Sequence, residues 1–322
     1  MIQNSQALQQ KPEERTGLFV LDKPAGISSA HALRLIKKKL GPIKLGHAGT
    51  LDPLATGLLV VLIGGATRLA RFAEAGIKEY SGVLRLGSTT STDDAEGEIL
   101  EERAITSSPQ QVQAAAASFV GAIDQVPPAV SALKVAGERA YSLVRRGEQP
   151  KLAARSVLVE SFELQALSMA EHQQGAQLPF EYRYRVRCGP GTYIRALARD
   201  LGAALGCGGH IRELRRSASY PFGELDLCTL EQLSWDILRP WLDLFPKMPR
   251  IEVDSECARL LQQGNPKAYS LISAQLAGEG RESLVQARYL AYLCPALART
   301  SGLLENVEGR WQIAVNLGPA SI

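Results

Sequence analysis

The stretch GHAGTLDPLATGLL, residues 46–59, concentrates groups able to do chemistry: a lone imidazole, His47, and a lone carboxylate, Asp52, ahead of a run of leucines and valines. Asp52 is followed by Pro53. An aspartate before a proline is one way to start a helix, because the carboxylate accepts backbone N–H groups and the proline sits where no N–H is needed. The same carboxylate, ionised in a closed pocket, is a nucleophile or a base. His47 likewise either fixes a turn or takes part in binding.

Other chemistries lack their signatures. The four histidines (31, 47, 172 and 210) and the five cysteines show no metal-ligand spacing, and TDDAEG departs from the calcium-loop pattern. No Walker loop or GxGxxG stands between a strand and a helix. Basic residues cluster in RLIKKKLGPIK, ATRLARF, LVRRGEQPK, YRYRVRC and RELRR. Each alone reads as a solvated face, but together they could line a channel for a polyanion.

The elements that must position these groups follow from periodicity and punctuation. GLFVLDKP reads as a strand stopped by proline, and SSAHALRLIKKKLGP as a helix capped by Ser29 with Ala30, Leu33, Ile36 and Leu40 on one face. LLVVLIG is continuously apolar, as expected of a strand buried on both faces. KEYSGVLRLGS is a further strand, and SPQQVQAAAASFVG carries a full helix start in Ser108, Pro109 and Gln111. SVLVESFELQALSM and FEYRYRVRCG are strands; in the second, Glu181, Arg183, Arg185 and Arg187 alternate with Tyr182, Tyr184, Val186 and Cys188. GTYIRALARDLGAALG is an amphipathic helix with Ile194, Leu197, Ala198, Leu201 and Leu205 inward, Thr192 as cap and Gly206 at its end. Strands without steady helical alternation imply an α+β fold with a mixed, largely antiparallel sheet.

The 322 residues suffice for one large and one small domain, and 45% hydrophobic with 21% charged residues is an ordinary globular composition. A net charge of +3 does not by itself announce a nucleic-acid partner. The cysteines are odd in number and form no CxxC pair, which fits reduced thiols in the cytoplasm. No apolar run reaches membrane-spanning length, and the polar start lacks a signal peptide's hydrophobic region, so a cytoplasmic protein without a membrane partner is expected.

In order and spacing, GLFVLDKPAGISS, KLGHAGTLDPLATGLLVVLIGGATR, KEYSGVLRLG, SALKVAGERAYSLVRRGE, CGPGTYIRALARDLGAALG and GCGGHIRELRRSAS resemble the bacterial TruB family of tRNA pseudouridine synthases. The resemblance runs from about residue 17 to about residue 235. After a lead-in at 1–16, expected to be disordered because it is rich in Gln, Lys and Glu with little to bury, the resemblance implies a pseudouridine synthase sheet with flanking helices over residues 17–248, a thumb-like insert at about 122–150 where two prolines and scattered charge interrupt the core pattern, and a small β-rich, PUA-like domain at 249–322 beyond the proline-bearing FPKMPRIEV. It places the catalytic aspartate on Asp52, the tyrosine that stacks on the uracil on Tyr80, a second active-site tyrosine on Tyr193, and the carboxylate's arginine partner on Arg195. His47 matches the histidine that helps flip the nucleotide, Leu214 an apolar pocket residue, and Lys23 with Pro24 a pair bordering the site.

The implied reaction is isomerisation of the T-loop uridine at tRNA position 55. It breaks N1–C1′ and joins C5 to C1′ with no outside atoms, so no cofactor is implied. Arg195 would favour ionised Asp52, and Tyr80 could double as a general base if its ordinary pKa near 10 were lowered. The implied partner is the T arm of tRNA, held through phosphates by Lys134, Arg139, Arg145 and Arg146 of the insert, with no obligate protein partner and a monomeric enzyme. Val130 departs from the family pattern, which has an aromatic residue there. A guide-RNA-dependent relative is disfavoured by the insert and the bacterial spacing. A tRNA-folding chaperone without catalysis is disfavoured by the presence of Asp52.

Overall fold

The computed structural model describes residues 15–135, 137–167, 181–281, 284, 287–296 and 300–318. His172, most of the expected lead-in and the end of the SVLVESFELQALSM strand lie outside the described residues. Along the chain come β1 (Gly17–Lys23), α1 (Ser29–Leu40), β2 (Leu45–Ala48), β3 (Thr56–Ile63), α2 (Ala70–Glu74), β4 (Lys78–Leu86), β5 (Ser88–Thr90), β6 (Ile99–Glu102), α3 (Pro109–Ala117) and β7 (Gly121–Gln125). After them come β8 (Lys134–Val135), β9 (Glu138–Arg139), α4 (Ala140–Arg145), β10 (Arg155–Ala166), β11 (Glu181–Cys188), α5 (Ile194–Ala204) and β12 (Gly209–Ser219). The C-terminal elements are β13 (Arg250–Glu252), α6 (Ser255–Gln262), α7 (Lys267–Gly278), β14 (Tyr289–Cys294), β15 (Thr300–Val307) and β16 (Arg310–Gly318).

The main sheet has eight strands in the order β1-β3-β12-β4-β11-β10-β7, with β2 also paired to β3. Among its described strands only β3 and β12 pair in parallel, so the expected α+β, largely antiparallel architecture is found. Continuous apolarity in β1 and β3 has the predicted cause. Phe19, Leu21, Leu59, Val61 and Ile63 pack with Ala32, Ile36 and Leu40 of α1 on one face. Leu18, Val20, Leu58, Val60 and Leu62 pack on the other with Ala291, Leu303, Val315 and Leu317 of the C-terminal sheet. Strands covered on both sides need no polar alternation. β11 has only one covered face, so Tyr182, Tyr184, Val186 and Cys188 are buried and Arg183, Arg185 and Arg187 are exposed.

β3 forks the sheet. β1 lines one edge of β3 from Gly57 to Ile63, while the other edge is shared by β12 at Thr56 and Gly57 and by β2 from Val60 to Ile63. Between them the Leu58 carbonyl has no strand partner, and the buried Arg216 fills the slot: Nε donates to Leu58 O at 2.7 Å and Nη2 to Gly49 O at 3.0 Å. The close β3–β12 approach requires glycine at position 57, where φ is +94° and a Cβ would stand 2.3 Å from the Arg216 carbonyl oxygen. Gly57→Ala is therefore expected to lower unfolding free energy by more than about 2 kcal/mol. A urea midpoint equal to the wild type would refute this.

Several local expectations are corrected. Ser28, not Ser29, caps α1, and Ala32 rather than Ala30 joins Ile36 and Leu40 in its buried face, with Leu33 half-buried. Thr192 does not cap α5; its hydroxyl donates to Gly189 O. Arg15 and Thr16, expected in the lead-in, are buried, with the Arg15 guanidinium 4.6 Å from the Trp235 ring and Thr16 Oγ1 accepting from Gly65 N. Residues 122–125, expected in the insert, belong instead to β7, an edge strand of the main sheet. Ser108, Pro109 and Gln111 form the predicted capping box. The C-terminal segment forms a four-stranded sheet, β13-β14-β15-β16, carrying two helices that apolar periodicity did not single out.

Candidate active site

Loop 49–55, between β2 and β3, carries Asp52 and is pinned from both sides. Ser29, at the start of α1, uses its hydroxyl twice, accepting from Leu51 N at 2.9 Å and donating to Leu51 O at 3.1 Å. Gly49 is held at its N–H by Glu74 Oε1, 3.2 Å away, and at its carbonyl by Arg216. The Pro53 carbonyl accepts from Gly26 N at 2.9 Å and from Lys23 Nζ at 3.4 Å. No helix follows Asp52, so the capping role considered for it is absent.

Asp52 faces Arg195 instead. Nη2 of Arg195 donates to Asp52 Oδ1 at 3.1 Å, and Nε lies 2.9 Å from Oδ2. The Arg195 side chain is 3% exposed and that of Asp52 31%, so the carboxylate can meet a substrate while its cation is enclosed. Three further contacts hold the guanidinium: Nη1 donates to Thr92 O at 2.6 Å and lies 3.3 Å from Asp94 Oδ2, and Nη2 donates to Val130 O at 2.9 Å. Burial pushes the Asp52 carboxyl above its ordinary range; Arg195 pulls it back, Asp94 adds to the rise, and Lys23 opposes it.

Arg195 is placed by the first turn of α5, and that turn by β7. The buried Gln125 side chain accepts from Tyr193 N at 2.8 Å and donates to Tyr193 O at 3.1 Å, so an edge-strand amide fixes where the helix begins. Asp52, Tyr80, Tyr193, Arg195 and Leu214 then line one cleft of about 330 Å³, with Lys78, Glu74, Arg139 and Arg216 around them. Tyr80, on β4, stands opposite Arg216 of β12 and is buried. Burial pushes its phenol up despite the pull of Arg216, the opposite of the lowering that a base role for Tyr80 needs; a neutral ring suits stacking. The Tyr193 phenol is also pushed up, by burial first and then by Asp52.

Three expected residues lie outside this cleft. Lys23 is fully buried, donating to Pro24 O at 2.8 Å and Ile27 O at 2.7 Å as well as to Pro53 O, so it positions the Asp52 loop. Pro24 is exposed at a neighbouring depression bordered by Asp22 and Arg215. His47 sits on β2 with Nδ1 buried and without a hydrogen-bond partner among the described residues, and burial pushes its pKa down. Of the insert's cations, Arg139 reaches the cleft and Lys134 is exposed on the β8–β9 hairpin. Arg145 lies over Tyr141 at 5.7 Å, and Arg146 is already ion-paired to Glu138 and Glu148 at 2.7 and 2.8 Å. The arginines of β11 point away from Tyr80, so the basic clusters do not line a single channel.

Burial lowers the Lys23 pKa to about 8 against a partial opposing pull from Asp52. The folded state therefore binds fewer protons at Lys23 than the unfolded chain between that value and about 10.4, the ordinary lysine pKa. Wild-type stability is expected to rise relative to Lys23→Met as pH increases through this window. Urea unfolding of both proteins at the two ends checks the sign, and a pH-independent difference would contradict it.

Asp94, Arg216, Gln125 and Lys78 were not singled out from sequence. Asp94 stood inside a Ser/Thr/Asp-rich loop tested only as a calcium site, and Arg216 inside a basic cluster. The available signal for Arg216 was its place on the strand that also carries Leu214, two residues away.

Residues 37–194 match the family model for the TruB family pseudouridylate synthase N terminal domain, and residues 195–239 that for the tRNA pseudouridylate synthase B C-terminal domain. A protein of Ruegeria pomeroyi named tRNA pseudouridine synthase B is 42% identical over 268 residues, covering 81% of this chain and 86% of that protein. One of the same name from Mycolicibacterium paratuberculosis is 41% identical over 312 residues, covering 95% and 99%. Among solved structures, an archaeal box H/ACA sRNP Nop10–Cbf5 complex matches with a TM-score of 0.61 at 20% identity, over 97% of this chain and 90% of that one. A Cbf5–Nop10–Gar1 complex gives 0.62 at 21%, over 98% and 91%; these two likenesses concern the fold.

Proposed function

The chain belongs to the TruB family of pseudouridylate synthases, and from that premise we propose that it converts the uridine at position 55 in the T loop of tRNAs to pseudouridine, with Asp52 as the reacting carboxylate. The observation that carries this reading is the reachable Asp52 held against an enclosed Arg195 at the wall of a cleft shared with Tyr80 and Leu214. The cleft suits a base lifted from its stack, with an aromatic ring to lie against it and an apolar side chain to exclude water.

In the reaction N1–C1′ breaks, the uracil turns over, C5 bonds to C1′, the C5 hydrogen leaves as a proton, and N1 takes up a proton from water. Attack of the carboxylate at C1′, attack at C6 and removal of the C2′ proton all begin from the ionised form. Arg195 works toward that form against the push of burial. Tyr80 and Tyr193, both neutral, hold the detached base. Arg139 and Lys134 contact the RNA backbone at the cleft mouth, where exposed cations meet phosphates at little desolvation.

In this proposal the enzyme acts as a monomer without an obligate protein partner. The C-terminal sheet and its helices are a PUA-like unit that extends the RNA contact. A tRNA substrate suits the cytoplasm, and among the described residues no helix is long and apolar enough to cross a membrane.

A T-arm minihelix with tritium at C5 of the target uridine tests the reaction, since joining C5 to C1′ must expel the label. Release into water is expected. Tight binding without release, from the minihelix and from full tRNA alike, would overturn the reading in favour of an RNA-folding chaperone.

A further inference from the structure

One helical turn beyond Arg195, α5 presents a second arginine with a parallel set of contacts. Arg199 Nη1 lies 3.3 Å from Asp93 Oδ2, Nε donates to Asp200 Oδ1 at 2.8 Å, and Nη2 donates to Val126 O at 2.7 Å. Arg195 makes the corresponding contacts to Asp94 and to Val130 O. Adjacent aspartates of the 91–98 loop thus go to arginines four residues apart, and both arginines also hold carbonyls at the base of the insert.

The loop is not relaxed. Asp93 has φ +60°, one of two non-glycine residues with positive φ among the described residues, a conformation carrying strain of order 1 kcal/mol or more. Its backbone is tied to the sheet by Ile211 N, which donates to Asp93 O at 3.1 Å. Asp94, the next residue, is buried and accepts from Thr92 Oγ1 at 2.5 Å and Glu96 N at 3.1 Å before reaching Arg195. The direction in which Asp94 leaves the chain therefore depends on Asp93 staying left-handed, and the half-buried Asp93 carboxylate has Arg199 as its cation.

We propose that Arg199 is a positioning residue for the isomerisation: by holding Asp93 in its left-handed conformation and Val126 at the base of the insert, it fixes Asp94 and Val130 where Arg195 can orient Asp52. This rests on the catalytic reading of Asp52 above. Arg199 is not among the residues lining the cleft and its contacts are to Asp93, Asp200 and Val126 rather than Asp52; it acts through the two segments that immobilise Arg195. Strain at Asp93 is retained because the conformation serves the clasp; glycine would adopt it without penalty but equally leave it, with no carboxylate for Arg199 to hold it there.

The test compares wild type, Arg199→Gln, Arg199→Lys and Asp93→Gly in tritium release from the T-arm minihelix, with KM, kcat and thermal midpoint measured for each. Asp93→Gly is the informative variant, because it relieves backbone strain while deleting the carboxylate. Expected is a kcat lowered by about tenfold to a hundredfold in Arg199→Gln and Asp93→Gly, with KM within about threefold, as for a displaced catalytic group. Arg199→Lys should recover part of the loss, and Asp93→Gly should melt no lower than wild type. Amide exchange in the free Arg199→Gln protein should quicken over residues 91–98 and 126–133 and stay unchanged in the rest of α5. Wild-type kcat in Asp93→Gly and Arg199→Gln would overturn the proposal. Losses that track a lowered melting point, with no selective change in exchange, would also overturn it by reducing Arg199 to a general stabiliser. Absence of release from the wild type would instead overturn the catalytic reading beneath it, and the exchange result would still judge the clasp.

Discussion

Asp52→Asn is expected to abolish turnover, by at least about 10⁴-fold in kcat, while tRNA affinity stays within a few-fold. The amide is nearly isosteric and its oxygen can still accept from Arg195 Nη2, so the loop, pinned by Ser29, Lys23, Glu74 and Arg216, has no reason to move. What disappears is the anion. An amide neither attacks a carbon nor takes up a proton at neutral pH, and every route to pseudouridine open to this site starts with one of those acts. Affinity survives because backbone contacts and stacking reside in Arg139, Lys134, Tyr80 and Tyr193. Turnover near wild type in this variant would remove Asp52 from the reaction, and a matched loss of binding would make it a contact residue.

Much of this site was legible because its residues fall in short contiguous motifs. GHAGTLDP carries the reacting carboxylate, KEYSG the stacking ring, and GTYIR the second tyrosine and the cation, so a resemblance in each motif names a residue. Their convergence was not legible. It arises from the fork at β3, where β12 and β2 share one edge and the Asp52 loop emerges between them. Neither strand announces such a fork in its own periodicity.

Residues that act through burial were missed for a related reason. A lysine or arginine in sequence reads as a solvated face, yet Lys78 and Arg216, like the Lys23 expected only to border the site, are buried and donate to backbone carbonyls at irregular joins between elements. Such joins leave acceptors without strand partners, and a long cationic side chain satisfies several at once. Ser29 shows the same ambiguity at small scale: helix start and loop pin call for the same hydroxyl, and Ser28 stood beside it to take the cap. The β-rich tail hid α6 and α7 because short helices packed on a small sheet leave little apolar signal beyond one face each.

Arg195→Met is expected to lower kcat by about 10²–10³-fold, a range typical of removing one preorganised electrostatic partner, with tRNA affinity within a few-fold. The pH dependence identifies the cause. Asp52 is already pushed above about 3.9, the ordinary aspartate value, by burial, and Arg195 is the foremost group pulling it down. Of the groups around it, Asp94 drives the same upward shift and Lys23 alone remains to oppose it once the guanidinium is gone. The variant also leaves Asp94 buried without its cation, so two carboxylates then face each other across an apolar side chain. The acid limb of kcat/KM should therefore move to higher pH than in the wild type, with part of the lost activity regained as pH rises and Asp52 ionises. A uniform loss with an unmoved acid limb would assign Arg195 to orientation rather than charge. A loss confined to affinity would make it a phosphate contact, which its 3% exposure argues against.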